Sequence, residues 1–368
     1  MEETLTQNAD AQRARRSVPI IDCDVHQAVP LAEIQKYMEP GWERVRLPSG
    51  ISWPSVEGHT GMRRDAVPPE GGTPGSSPAF MIEHLVEPYN IECAILTGGP
   101  NMFANLHPNA AFAVAYMRGY NDWLREKWLS YDPRFKGSMI VAPQDIAASV
   151  KEIERVGNDP RIVQILMPSA SPLLYGKPYF WPLYEAAAAY GLPVAIHPGA
   201  EGAGTSVTTA AGHPSYYIEW HTMLCTSYIN HLVSLVCEGV FERFPDLRYV
   251  LIEGGVSWAA PVLWRLDKNW KALRAEVPWL KMLPSEYVRR SVRFTTQPIE
   301  EPDRLERLLM LYDELDAWNT LMFASDYPHW DFDDPDVVLR GFPKELQERI
   351  YYTNARELYF KGRSPAGP

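Results

Sequence analysis

Eight short apolar runs recur along the chain: VPIIDCD (18–24), ECAILTG (92–98), FKGSMIVAP (135–143), IVQILMP (162–168), LPVAIHP (192–198), RYVLIEGG (248–255), VRFTTQP (292–298) and LMFASDYP (321–328). They are rich in β-branched residues, and their hydrophobicity is near-continuous rather than alternating. Strands that read this way are buried on both faces, as in a parallel sheet. Helical patterns separate most of them, at 108–130, 146–158, 181–191, 229–245 and 306–318. Eight strands alternating with helices predict an α/β fold, a closed (β/α)8 TIM barrel. A doubly wound open sheet is the competing arrangement. It is disfavoured because no glycine-rich phosphate turn follows the first run.

With 368 residues, 46% of them hydrophobic, the chain has enough apolar surface for one large core. The expected organisation is an N-terminal flexible tail (1–17), a single barrel domain (18–362) and a C-terminal tail (363–368). Two connections are too long for simple loops: an insertion arm, 27–80, after the first run, and 199–228 after the fifth. Long loops in a compact domain carry lids or interaction surfaces. A net charge of −11 with scattered Lys and Arg excludes a nucleic-acid face. No apolar run reaches the roughly 18 residues of a membrane span. The polar N-terminus has no apolar signal segment, and the four cysteines form no CxxC pair. A reduced, cytoplasmic location is the expectation.

The chemistry sits where the runs end. The stretch IIDCDVH (20–26) presents Asp24 and His26 on one face, because side chains two apart along a strand point the same way; Asp22 lies one layer deeper. The fifth run ends in His197, the sixth in Glu253 and the eighth in Asp326. In a barrel these positions converge at the C-terminal mouth. Two imidazoles and two or three carboxylates meeting at one point describe a site for a divalent metal. Asp326 closes an apolar run with no Lys or Arg beside it, which suits a metal ligand or a general base.

On these stretches the sequence resembles the amidohydrolase superfamily, in its amidohydrolase-related branch of metal-dependent hydrolases and non-oxidative aromatic decarboxylases. The resemblance is carried by IIDCDVH, AIHPGA, GVFERFPDLRYVLIEGGVSW (239–258), LMFASDYPHWDFDDP (321–335) and NARELY (354–359). It implies ligand roles for Asp24, His26, His197 and Asp326. Many members have His-x-His on the first strand, where this chain has Asp24-x-His26, and His on the sixth, where it has Glu253. Glu253 is open to the roles of ligand, general base or partner of a ligand. The set is rich in oxygen donors: Zn2+ is the first candidate, with Mn2+ or Fe2+ as alternatives. No lysine lies near Met167, which argues against a carbamate-bridged pair of metals.

The expected activity is hydrolysis of a small organic substrate, carboxylated or cyclic, by a metal-activated water, with Asp326 and Glu253 as catalytic groups. The alternatives are non-oxidative decarboxylation and a metal-binding subunit, degenerate or redox-active, paired with a related chain. The resemblance implies a homo-oligomer, and the last alternative a hetero-oligomer. His329, Trp258 and His221 are the candidate substrate-binding residues. Arg63 and Arg64 are either a carboxylate clamp, or a solvated pair or inter-subunit contact. Thr97, Gln144 and Gln297 end strands as candidate hydrogen-bond donors to the ligands.

Overall fold

The computed structural model describes residues 18–47, 61–199, 201, 212 and 214–361; the expected tails, 1–17 and 363–368, lie outside them. All eight apolar runs form strands: β1 (Ile20–Val25), β2 (Ile91–Leu96), β3 (Phe135–Ile140), β4 (Ile162–Pro168), β5 (Val194–His197), β6 (Tyr249–Leu251), β7 (Val292–Thr295) and β8 (Leu321–Met322). They form one sheet in sequential order with every pairing parallel. The seam between β8 and β1 is closed by a parallel bridge between Val25 and Tyr327. Cys23 N–H donates to the Phe323 carbonyl at 3.0 Å, His26 N–H to Tyr327 at 2.7 Å and Asp326 N–H to Asp24 at 3.1 Å. The fold is a (β/α)8 barrel.

Helices form an outer layer: α1 (Ala110–Lys127), α2 (Ile146–Val156), α3 (Trp181–Ala189), α4 (Cys225–Cys237), α5 (Ala259–Leu273), α6 (Pro284–Ser291), α7 (Leu305–Glu314) and α8 (Asn354–Tyr359); the five helical patterns correspond to α1 to α4 and α7. Their starts have local chemical causes. Asn109 accepts from Phe112 N–H at 3.2 Å and Asp145 from Ala148 N–H at 2.9 Å, each filling one of the donors a first turn leaves open. The NARELY segment is α8, and it closes the barrel floor. Asn354 donates to the Leu321 carbonyl at 2.7 Å, and Tyr359 donates to Gln164 at 2.8 Å.

The strands stop earlier than the apolar runs. β6 ends two residues before Glu253, and β8 ends four before Asp326. The last residues of those runs are irregular backbone at the barrel mouth, which is where a barrel places its site. The arm after β1 folds back over the same mouth. Ala28 N–H donates to the Gly75 carbonyl at 2.8 Å, Arg63 N–H to Pro328 at 2.8 Å and Trp330 N–H to Gly61 at 3.2 Å. Its residues 48–60 lie outside the described ones, as do 200, 202–211 and 213 of the loop after β5.

Gly75 is where the arm meets the site. Its φ is +74°, and a Cβ there would lie 2.5 Å from the His26 carbonyl oxygen. Gly75→Ala is therefore expected to lower the unfolding free energy by about 1–3 kcal/mol. Urea unfolding measures this, and a wild-type midpoint would show that the arm does not hold this contact.

Candidate metal centre

Each imidazole at the mouth is oriented by a main-chain carbonyl. His26 Nδ1 donates to Gly98, and His197 Nδ1 donates to Pro198 at 2.7 Å. A carbonyl only accepts, so both rings carry hydrogen on Nδ1 and turn Nε2 inward. The two Nε2 atoms lie 3.2 Å apart. Around them, Asp24 Oδ1 and Asp326 Oδ1 are 3.2 and 3.0 Å from His26, and Asp24 Oδ2 and Glu253 Oε2 are 3.3 and 2.9 Å from His197. One ligand-type atom from each of Asp24, His26, His197, Glu253 and Asp326 falls within 4.8 Å of the others, and all five residues are buried.

Lone pairs and carboxylates facing one point repel unless positive charge lies between them. Protons meet part of that demand. Burial opposes charge on His26, yet Asp24 and Asp326 push it up to about 10. Burial likewise opposes charge on His197, and Asp24 and Glu253 push it well above the usual histidine range. A divalent cation meets the demand more completely. A tetrahedral or octahedral shell with bonds of about 2.1 Å has edges of roughly 3.0–3.4 Å. The contacts of 2.9–3.3 Å match those edges. Asp24 Oδ2 is buried without a hydrogen-bond partner among the described residues, and His197 Nε2 faces it at 3.3 Å. Such an oxygen is costly to bury unless a cation binds it. The donor set fits a divalent metal.

Two of the carboxylates depend on unusual backbone. Glu253 has φ +57° and Asp326 φ +58°, left-handed values that non-glycine residues seldom adopt. The turns aim both side chains into the mouth, a direction that strand alternation does not supply. Thr97 donates to Asp24 Oδ1 at 2.6 Å, and Gln297 donates to Asp326 Oδ2 at 3.4 Å and Asp331 Oδ2 at 2.9 Å. Gln144 takes no part; it donates to Ala104 and His107 carbonyls at 2.9 and 3.0 Å. Asp22 lies below the cluster, where its Oδ1 accepts from Ser325 N–H at 3.0 Å.

A cavity of about 190 Å3 opens above the cluster, lined by His26, His197, Glu253, Asp326 and His329, with Phe103, Glu201, Tyr217, Trp220, Trp330 and Asp331 beyond them. His329 reaches it with Nδ1 2.6 Å from Asp326 Oδ1. His221 stands outside the lining. Its ring stacks on Tyr217 at 5.7 Å, and its Nε2 is 2.9 Å from Asp331 Oδ2. Trp258 also points elsewhere. Its indole donates to the Gly254 and Gly255 carbonyls at 2.9 and 3.0 Å, and its ring packs on Phe294, so it braces the turn that carries Glu253. Arg63 is committed to Asp65 at 2.9 and 2.6 Å and lies over the Phe332 ring. The sequence reading passed over Glu201, Tyr217, Trp220 and Asp331. They lie on loops with no strand period to mark them, and Glu201, four residues past His197, carried the one available signal.

A family model described as amidohydrolase matches residues 21–361. The chain belongs to the amidohydrolase family. No curated protein matches this chain significantly. Among solved structures it is similar to an amidohydrolase from Mycobacterium avium subsp. paratuberculosis, with a TM-score of 0.72 at 20% identity, covering 93% of this chain and 99% of that one. It is similar to 2,6-dihydroxybenzoate decarboxylase from Rhizobium, with a TM-score of 0.66 at 20% identity over 93% and 98% of the two chains. It is also similar to 5-carboxyvanillate decarboxylase from Novosphingobium aromaticivorans, solved with manganese and a nitrobenzoic acid, with a TM-score of 0.69 at 17% identity over 94% and 98%. At these identities the likeness is one of fold.

Asp24→Asn, His197→Ala and Asp326→Asn should each lower metal affinity about tenfold or more, and Thr97→Val by a comparable or smaller factor. Elemental analysis of the purified variants reads this directly. Stoichiometric metal in all of the first three would remove the basis for this centre.

Proposed function

We propose that this amidohydrolase-family chain is a metal-dependent, non-oxidative decarboxylase of a small aryl carboxylate, a carbon–carbon lyase. The observation that carries the reading is Asp24-x-His26 within the oxygen-rich cluster, the carboxylate-x-His pattern that the resemblance associates with decarboxylase-like members; Glu253 in place of a sixth-strand histidine weighs the other way. Decarboxylases recur among the similar folds, and two are described with bound manganese. Mn2+ therefore stands beside Zn2+ as a candidate, with Fe2+ the third. Asp24, His26, His197 and Asp326 are the proposed ligands, with Glu253 at the edge of the shell. When bound, the metal would hold the substrate carboxylate and an adjacent hydroxyl and draw charge from the ring.

The chain's own groups divide the proton work. Burial raises Asp326, but His329 and His26 outweigh it and hold the carboxyl below its usual range. Burial, then the charge of Asp326, pushes Glu253 up to about 7. Neighbouring carboxyls driven apart in this way mark a base and an acid. Glu253 is the group that gives its proton to the ring carbon. The bond to the carboxylate breaks, CO2 leaves, and the arene keeps that proton. Asp326 stays ionised, oriented by His329 and Gln297.

Hydrolysis is the second reading, favoured by the ionised Asp326 beside His329, a base with its orienting partner. A metal-binding subunit of a larger assembly, degenerate or redox-active, is the third. A homo-oligomer and a cytoplasmic location remain part of the proposal; no helix among the described residues is long and apolar enough to cross a membrane.

The test is turnover by the purified, metal-loaded chain on hydroxybenzoates, amides and lactones. CO2 release is expected, and Glu253→Gln should lower kcat by about a hundredfold or more with metal retained. An acid must be protonated to act, so kcat is expected to fall as pH rises through the pKa of Glu253, which burial and the charge of Asp326 raise above the usual carboxylate range. Acid release from amides or lactones without CO2 would replace this reading with hydrolysis. Inactivity of the lone chain on all three classes would favour the subunit.

A further inference from the structure

The cavity above the cluster contains no lysine or arginine among its lining residues. Residues 65–117, 178–242 and 325–339 hold neither residue, and they supply every lining position except His26 and Glu253. Arg63 and Arg64 line the adjoining chamber of about 740 Å3, and Arg63 is already paired with Asp65. The histidines nearest the cavity are matched as well, His329 to Asp326 and His221 to Asp331.

Carboxylates are plentiful. Besides the cluster itself, Glu201 and Asp331 face the cavity. Glu201 is only 4% exposed, accepting from the Ser169 hydroxyl and from Gly199 N–H. Glu201 and Asp331 thus add two carboxyl groups to the three of the cluster, around a cavity with no lysine or arginine in its lining. A low-dielectric cleft lined by one sign of charge concentrates ligands of the opposite sign. The remaining wall is aromatic. Tyr217 lies 5.2 Å from Trp220 and 6.1 Å from Trp330, ring centre to ring centre, and the Trp330 indole donates to the Tyr217 hydroxyl at 3.1 Å. Ring faces beside carboxylates bind ammonium groups by cation–π attraction and by charge.

We propose that the end of the substrate remote from the metal carries a protonated amine, seated between the Tyr217, Trp220 and Trp330 rings and the Glu201 and Asp331 carboxylates. A second carboxylate in that place is disfavoured, because it meets the Glu201 and Asp331 carboxyl groups, and the nearest basic side chain, His221, is already paired with Asp331. The inference rests on the reading of the site as one that takes a metal-chelating small molecule; it names the other end of that molecule.

The experiment uses the manganese-loaded protein and four salicylates that share the chelating head: the parent and its derivatives with aminomethyl, methyl or carboxylate groups para to the carboxyl. Calorimetric titration is expected to show the aminomethyl compound binding about tenfold more tightly than the methyl one, the size of a partly desolvated cation–π contact. The carboxylate compound should bind most weakly, and Trp330→Leu should cut the aminomethyl preference by about threefold or more. Equal binding of aminomethyl and methyl compounds, tighter binding of the carboxylate compound, or no binding of the aminomethyl compound overturns the proposal. CO2 release from the parent salicylate reports on the reaction alone, so the two ideas fail separately.

Discussion

The electrostatic demand at one point governs this molecule. Five buried groups, three of them carboxylates, meet at the mouth of a barrel with no arginine or lysine among them. Nothing in a protein interior tolerates that arrangement without a cation. The protonation pattern is the same demand expressed in another currency: imidazoles driven towards the charged state, and Asp24 held far below the ordinary carboxylate range against its burial by His197 and His26. Binding a metal would release those protons, so affinity and pH are linked through the same groups.

Fold and site share their hydrogen bonds. The seam that closes the barrel runs through Asp24, His26, Asp326 and Tyr327, so main-chain bonds that complete the sheet also set the spacing of the ligands. The arm after β1 packs on the same residues through Gly75 and Arg63. Distortion at the seam would be felt at the centre, and the rigid sheet spares the ligands a cost of ordering on binding.

Beyond the ligands, the surroundings discriminate. The same fold accepts different substrates by varying the loops that follow its strands. Here the loops that line the cavity supply aromatic rings and carboxylates and no lysine or arginine, while Arg63 and Arg64 stand in the adjoining chamber. His221 acts within this pattern at one remove, fixing Asp331 and stacking on Tyr217 rather than lining the cavity itself.

Eight near-continuous apolar runs separated by helical segments pointed to a parallel sheet, because strands buried on both faces need helices on each side, and the missing glycine-rich turn after the first run favoured the barrel over an open sheet. The run ends likewise disclosed Asp24, His26, His197, Glu253 and Asp326, since ligand-type residues closing apolar strands have few other uses. What tertiary structure alone decided was direction. Left-handed turns at Glu253 and Asp326 aim those carboxylates inward, beyond the reach of any strand period. Trp258 turned away to brace a turn, while Glu201, Tyr217, Trp220 and Asp331 came to the cavity from loops. Periodicity encodes which face of a regular element is buried; it is silent on irregular backbone, whose course is set by contacts between residues far apart in the chain.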